Sequence, residues 1–142
     1  MQGNNQETVQ DIRQTLVFNA PIQKVWNTVS TSEGIAAWFM PNDFRPEPGY
    51  EFTINAEQWG ISHCKVTELD PPNRLTFTWG KDWLITFELK ELEDKTEFTL
   101  IHSGWEAGMA TEFGEAHEVV RNRMNQGWGS FILPKLKKVV EA

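Results

Sequence analysis

The sequence predicts an α+β fold: a curved six-stranded antiparallel sheet, in the order β-α-α-β5-α, wrapped around one long C-terminal helix with a cavity between them. Three observations predict it. The apolar residues recur with period two from residue 50 to 102, broken by turns too short for parallel crossovers. Two short helical stripes lie between the first strand and this meander. One long apolar stripe runs from Glu115 to Ala142.

Residues 1 to 10 are polar and aperiodic and read as a disordered tail, leaving 11 to 142 as a single domain. Ile12, Gln14, Leu16 and Phe18 form the more apolar face of the first strand, which stops at Asn19-Ala20-Pro21. Pro21 suits the first turn of a helix, and Ile22, Val25, Trp26 and Val29 follow at i, i+3, i+4 and i+7. Ser30 and Glu33 have capping-box spacing and predict a second helix with Ile35, Trp38 and Phe39 inward. Pro41, Pro46, Pro48 and Gly49 mark a loop.

In the meander, Tyr50, Phe52, Ile54 and Ala56 alternate, and Gln58-Trp59-Gly60 makes a turn. Ile61 to Leu69 is the next strand, closed by Asp70-Pro71-Pro72-Asn73. Leu75, Phe77 and Trp79 form one face of its successor, then Trp83, Ile85, Phe87 and Leu89, then Phe98, Leu100 and His102. Ser103 to Gly114, with Trp105, Met109 and Phe113, reads as an apolar lid. The last helix carries Val120, Met124, Trp128 and Phe131, then Ile132, Leu136, Val139 and Val140 on a rotated azimuth. Pro134 predicts a kink between the two sets. Gly127 and Gly129 each cost a helix about 1 kcal/mol relative to Ala, which points to a close approach beside Trp128.

Composition narrows the function. The 142 residues are enough for one core and carry a net charge of −7 with a pI near 4.9, the wrong sign for nucleic acid. The longest apolar run, Ile35 to Met40, is too short to span a membrane, and the amino terminus does not resemble a signal peptide. A cytoplasmic monomer is the expectation, and the lone Cys64 fits a reducing compartment. Seven Trp, nine Phe and one Tyr make 12% of a chain whose mean hydropathy is only −0.47. Such rings either fill a core or line a slot for an apolar guest.

No phosphate-binding loop, dinucleotide fingerprint, CxxC or nucleophile elbow occurs. His117-Glu118-Val119-Val120-Arg121 lacks the second histidine of a zinc-protease helix, and His63, His102 and His117 fall on separate elements, so neither a metal nor another cofactor is expected. His102 continues the face of Phe98 and Leu100. It either points to the cavity mouth, as a hydrogen-bonding or acid–base group, or caps the lid backbone. Arg74 is expected to pair with Asp70, and Glu51 is the candidate cavity carboxylate.

Ala20-Pro21 with Val25-Trp26, Trp38-Phe39, Gly49 with Phe52, Asp70-Pro71-Pro72-Asn73-Arg74-Leu75 with Phe77-Thr78-Trp79, His102-Ser103-Gly104, and Gly127-Trp128 with Leu133 and Leu136 together carry a resemblance over residues 11 to 140. In their order and spacing the chain resembles the START-like (SRPBCC, helix-grip) superfamily and, within it, the bacterial homologues of the activator of the heat-shock protein ninety ATPase. The resemblance implies a cavity for a lipid-like or planar aromatic molecule, no shared catalytic residue and a tie to stress responses. The same scaffold hosts polyketide cyclase or hydrolase-like enzymes and co-chaperones, so both are alternatives, with a chaperone as a possible protein partner. The ligand-binding candidates are Trp38, Phe39, Trp79, Trp83, Phe87, His102, Trp105, Met124, Trp128 and Phe131.

Overall fold

A computed structural model describes residues 10–55, 60–80, 83–105 and 117–142. Strand β1 (Ile12–Phe18) is followed by helices α1 (Ile22–Val29) and α2 (Ser32–Trp38), then by β2 (Glu51–Asn55), β3 (Ile61–Asp70), β4 (Arg74–Trp79), β5 (Trp83–Leu92) and β6 (Lys95–Ser103). A helical run closes the chain: α3 (His117–Gly127), a π-helical turn (Trp128–Ile132) and α4 (Leu133–Val140). All six strands pair antiparallel in the order β1-β6-β5-β4-β3-β2. This is the helix-grip arrangement: the meander supplies five neighbours in sequence order, and β1 crosses the two helices to pair with β6.

The alternation fixes which way the sheet faces. Phe52, Ile54, Val66, Leu75, Phe77, Ile85, Phe87, Leu89, Phe98 and Leu100 are buried on its inner face, while Arg13, Arg74 and Glu88 stand on the outer one. Helix α1 buries Ile22, Val25, Trp26 and Val29 and packs against β5, β6 and α4. Trp38 fixes α2 to α1 by donating its indole N–H to the Thr28 carbonyl, 3.2 Å away.

The structure corrects four local expectations. The cap of α2 is Thr31, whose hydroxyl accepts from the Gly34 N–H at 3.0 Å, while Ser30 donates to the Trp26 carbonyl and closes α1 instead. Arg74 pairs with Glu68 and Glu88 rather than Asp70, although Asp70 is its register partner across the turn. Gly127 has nothing within 4 Å of where a Cβ would stand, so only Gly129 answers to close approach; its Cβ would meet Gln14 Oε1 at 3.0 Å. Phe131 is 74% exposed and lines no wall.

Phe131 and the expected kink have one physical cause. Pro134 has no N–H for the Ser130 carbonyl, and its ring crowds that carbonyl in an α-helix. The turn before it widens instead: the Leu133 N–H bonds the Trp128 carbonyl, five residues back. The residues that return beneath Trp128 are then Ile132 and Leu133, half-buried and buried respectively, and Phe131 is carried round to solvent. Beyond the widened turn Leu136 and Val140 resume the inner stripe. The lid expected over Ser103 to Gly114 lies, from residue 106 onward, outside the described residues, as do residues 1 to 9 of the expected tail and Gln58 and Trp59 of the expected turn.

Candidate functional site: an aromatic cluster around a buried histidine

Between the inner face of the sheet and the C-terminal helical run, the candidate rings converge. Trp79, at the end of β4, is the register partner of Trp83 at the start of β5, and their rings meet edge to face at 5.3 Å. Phe87 lies further along β5 and meets Trp38 at 5.6 Å. Phe39, just past α2, joins three elements: it stacks on Trp38 at 5.5 Å and on Trp128 at 5.4 Å, and meets Trp79 edge-on at 5.5 Å. Trp38, Trp79, Trp83, Phe87, Trp105 and Trp128 are buried, whereas Phe39 and Met124 are half-buried.

His102 is fully buried, with no exposed surface. Strand alternation from Phe98 and Leu100 turns it inward, opposite Ile12 on β1 and Ile85 on β5. Gly104, with φ of 100°, turns the chain immediately after β6 and brings Trp105 back over it. The Trp105 indole donates to the His102 carbonyl at 2.9 Å, and its ring lies 4.6 Å from the imidazole. Trp83 and Trp79 close two further sides at 5.0 and 5.6 Å. The Trp128 indole donates to His102 Nδ1 at 3.1 Å, while Nε2 meets no hydrogen-bond partner among the described residues. Burial among these rings pushes the imidazole pKa down from its usual value to about 3, so the ring is neutral at physiological pH.

His102 thus neither opens to solvent nor caps a lid with its side chain; it accepts from the C-terminal helical run. Of the candidate rings that the sequence directs toward this interface, only Phe131 is turned away from it. The sequence pattern does not show Gln14, which holds the run in place: Gln14 Nε2 donates to the Asn125 carbonyl at 2.8 Å and to Asn125 Oδ1 at 2.9 Å, shortly before the widened turn. Two signals for it exist in the sequence. One is a polar residue on the apolar face of β1, and the other is Gly129, directly after Trp128, where a Cβ would press on the Gln14 side chain.

Glu51 is not a cavity carboxylate. It is exposed and lines an open groove of about 220 Å³ with Asp43, Phe52, Thr53, His63 and Cys64, away from His102 and Trp128. Among the described residues no carboxylate is buried, and no three His, Cys, Asp or Glu side chains are placed to hold a metal ion. No helix among them is long and apolar enough to cross a membrane.

A sheet gripping a C-terminal helix across an aromatic interface defines a START-like, helix-grip domain. The family described as activator of Hsp90 ATPase homolog 1-like protein matches residues 19–141, and the chain belongs to it. Protein BH1534 of Bacillus halodurans is 43% identical, with a TM-score of 0.86 over 94% of this chain and 99% of that one. MLL2253 of Mesorhizobium loti is 22% identical, with a TM-score of 0.77 over 91% and 95%. The Aha1 dimer of Colwellia psychrerythraea is 20% identical, with a TM-score of 0.70 over 94% and 97%; these last two likenesses show the fold alone. No curated protein matches the sequence.

Proposed function

We propose that this domain binds an apolar small molecule between the sheet and the C-terminal helical run, in the place that Phe39 now takes between Trp79 and Trp128. The observation that carries the reading is Phe39 itself. It is half-buried, it bridges three elements, and it stacks on Trp128 with its plane only 20° away, so a flat apolar guest could replace it ring for ring. Among the described residues these rings touch one another, so the guest enters by displacing Phe39. The widened turn at Trp128 supports this, because such turns are more easily rearranged than regular helix and recur at functional sites. Burying about 300 Å² of apolar surface gives roughly 7 to 8 kcal/mol before association costs, which corresponds to micromolar or weaker binding.

Binding is favoured over acid–base catalysis by the state of His102. A group with a pKa near 3 donates no proton at neutral pH, and no buried carboxylate among the described residues stands by to relay one. Binding is favoured over a chaperone contact because, among the described residues, the large exposed apolar side chains, Val17, Ile61, Leu84, Val119 and Phe131, sit on five different elements. The test is titration with a library of apolar compounds, followed by tryptophan fluorescence and amide shifts. Saturable binding with shifts at Phe39, Trp79 and Trp128 is expected, and Phe39→Ala should tighten it about tenfold by removing the ring that the guest must displace. No saturable response at those residues would overturn the proposal.

A further inference from the structure

The binding reading leaves one polar group unused, the second nitrogen of His102. An indole N–H only donates, so His102 Nδ1, 3.1 Å from Trp128 Nε1, accepts and carries no proton. A neutral imidazole with Nδ1 bare carries its proton on Nε2. That N–H is buried, and no acceptor among the described residues meets it. Leaving a buried donor unpaired costs about 1 to 3 kcal/mol. Phenylalanine or leucine would avoid the cost, as they do at Phe98 and Leu100 on the same face.

We infer that His102 reads the polar end of the guest, donating its Nε2–H to an uncharged hydrogen-bond acceptor, such as a carbonyl, ether or nitrile, on an otherwise apolar molecule. The inference rests on the binding reading above. Shared walls connect the two places: Trp79 and Trp128 both pack on Phe39 and also lie 5.6 and 6.1 Å from the imidazole. A guest in place of Phe39 thus shares two neighbours with the imidazole, and one long enough to pass them reaches His102.

Chemistry excludes the other polar ends. A cation is attracted by indole faces, but it would meet the positive end of an N–H with no buried carboxylate among the described residues to balance it. A carboxylate would accept the proton but be desolvated without a cation beside it. A donor group would meet a donor.

Three probes of one shape test this on the intact chain: 2-acetylnaphthalene, 2-isopropenylnaphthalene, in which CH2 replaces the oxygen, and trimethyl(2-naphthyl)ammonium. Calorimetry gives the affinities, and nitrogen-15 NMR of the histidines reports the tautomer. In the free protein His102 should show a bare Nδ1 and a protonated Nε2; the reverse tautomer overturns the inference. The ketone should bind about tenfold more tightly than the hydrocarbon and move the Nε2–H resonance downfield, with the ammonium weakest. Equal binding of ketone and hydrocarbon with that resonance unmoved overturns the inference and leaves the binding reading standing. Saturable binding of none of the three overturns both. His102→Phe should abolish the preference for the ketone; because that change also strips Trp128 of its acceptor, the wild-type spectrum carries the test if the variant does not fold.

Discussion

The two faces of the sheet are made by alternate residues of the same strands, yet they solve opposite problems. On the inner face the rings exclude water so fully that His102 stays neutral far below its usual pKa. On the outer face Arg74 is held between Glu68 and Glu88, its guanidinium pKa raised first by the hydrogen bond to Glu68, and Arg13 approaches Glu88 at 3.9 Å. Thr15 and Thr99, and Thr76 and Thr86, pair their hydroxyls at 3.0 Å across neighbouring strands. The outer polar groups find partners on the sheet, whereas the inner imidazole has one nitrogen paired and one that meets no acceptor among the described residues. An imidazole N–H that meets no acceptor among the described residues, on the side where unpaired polar groups cost most, is the feature the proposed guest would answer.

The largest blow to this asymmetry is Trp128→Ala. It removes a buried ring and the donor to His102 Nδ1, and should cost about 3 to 5 kcal/mol in urea denaturation. Trp128→Phe keeps most of the volume and loses the hydrogen bond, so a cost of about 1 to 3 kcal/mol is expected. Equal costs would mean that the ring's volume contributes nothing beyond the Trp128–His102 bond.

Acid should act next. The folded pKa of His102 is depressed, so the unfolded chain binds its proton first, near the ordinary value of 6.5, and the folded chain only near about 3. The unfolded state holds more protons throughout that window, so the contribution to stability falls with falling pH by up to about 1.4 kcal/mol per unit. Denaturation midpoints measured from about pH 7 to pH 4.5, inside that window, should show the slope in the wild type and lose it in a folded His102 variant. An imidazole resonance of His102 that titrates near its ordinary value would contradict the burial argument.

What is legible in the sequence follows the range of the forces. Alternation places Leu75, Phe77, Trp79, Phe98, Leu100 and His102 on the inner face because strand geometry is a nearest-neighbour property. The helical stripe of α1 is equally plain. The partner of His102 is not, because Trp128 is 26 residues away and meets it only once the sheet and the helical run are packed. An α-helical period carried through Pro134 misplaces Phe131, because the widened turn that avoids the proline clash shifts the phase by one residue. Glu51 fails as a cavity group for a simpler reason: the buried Phe52 beside it already commits β2 to the opposite facing.

On the outer face the effects should be small. Arg74→Ala removes a partly exposed pair with Glu68 and Glu88, and should cost at most about 1 kcal/mol, less in high salt.

Phe131→Ala should be smaller still, and it is the sharpest check on the phase of the helix. At 74% exposure the ring gives up little burial when it is removed, so stability should change by no more than about 0.5 kcal/mol. Its place on the solvent side of the helical run also means that any affinity for apolar probes should be unchanged, in contrast to Trp128→Ala. If Phe131→Ala instead weakened binding as strongly, the helical run would have to turn a different face to the sheet, and the place assigned to the guest between Trp79 and Trp128 would be wrong.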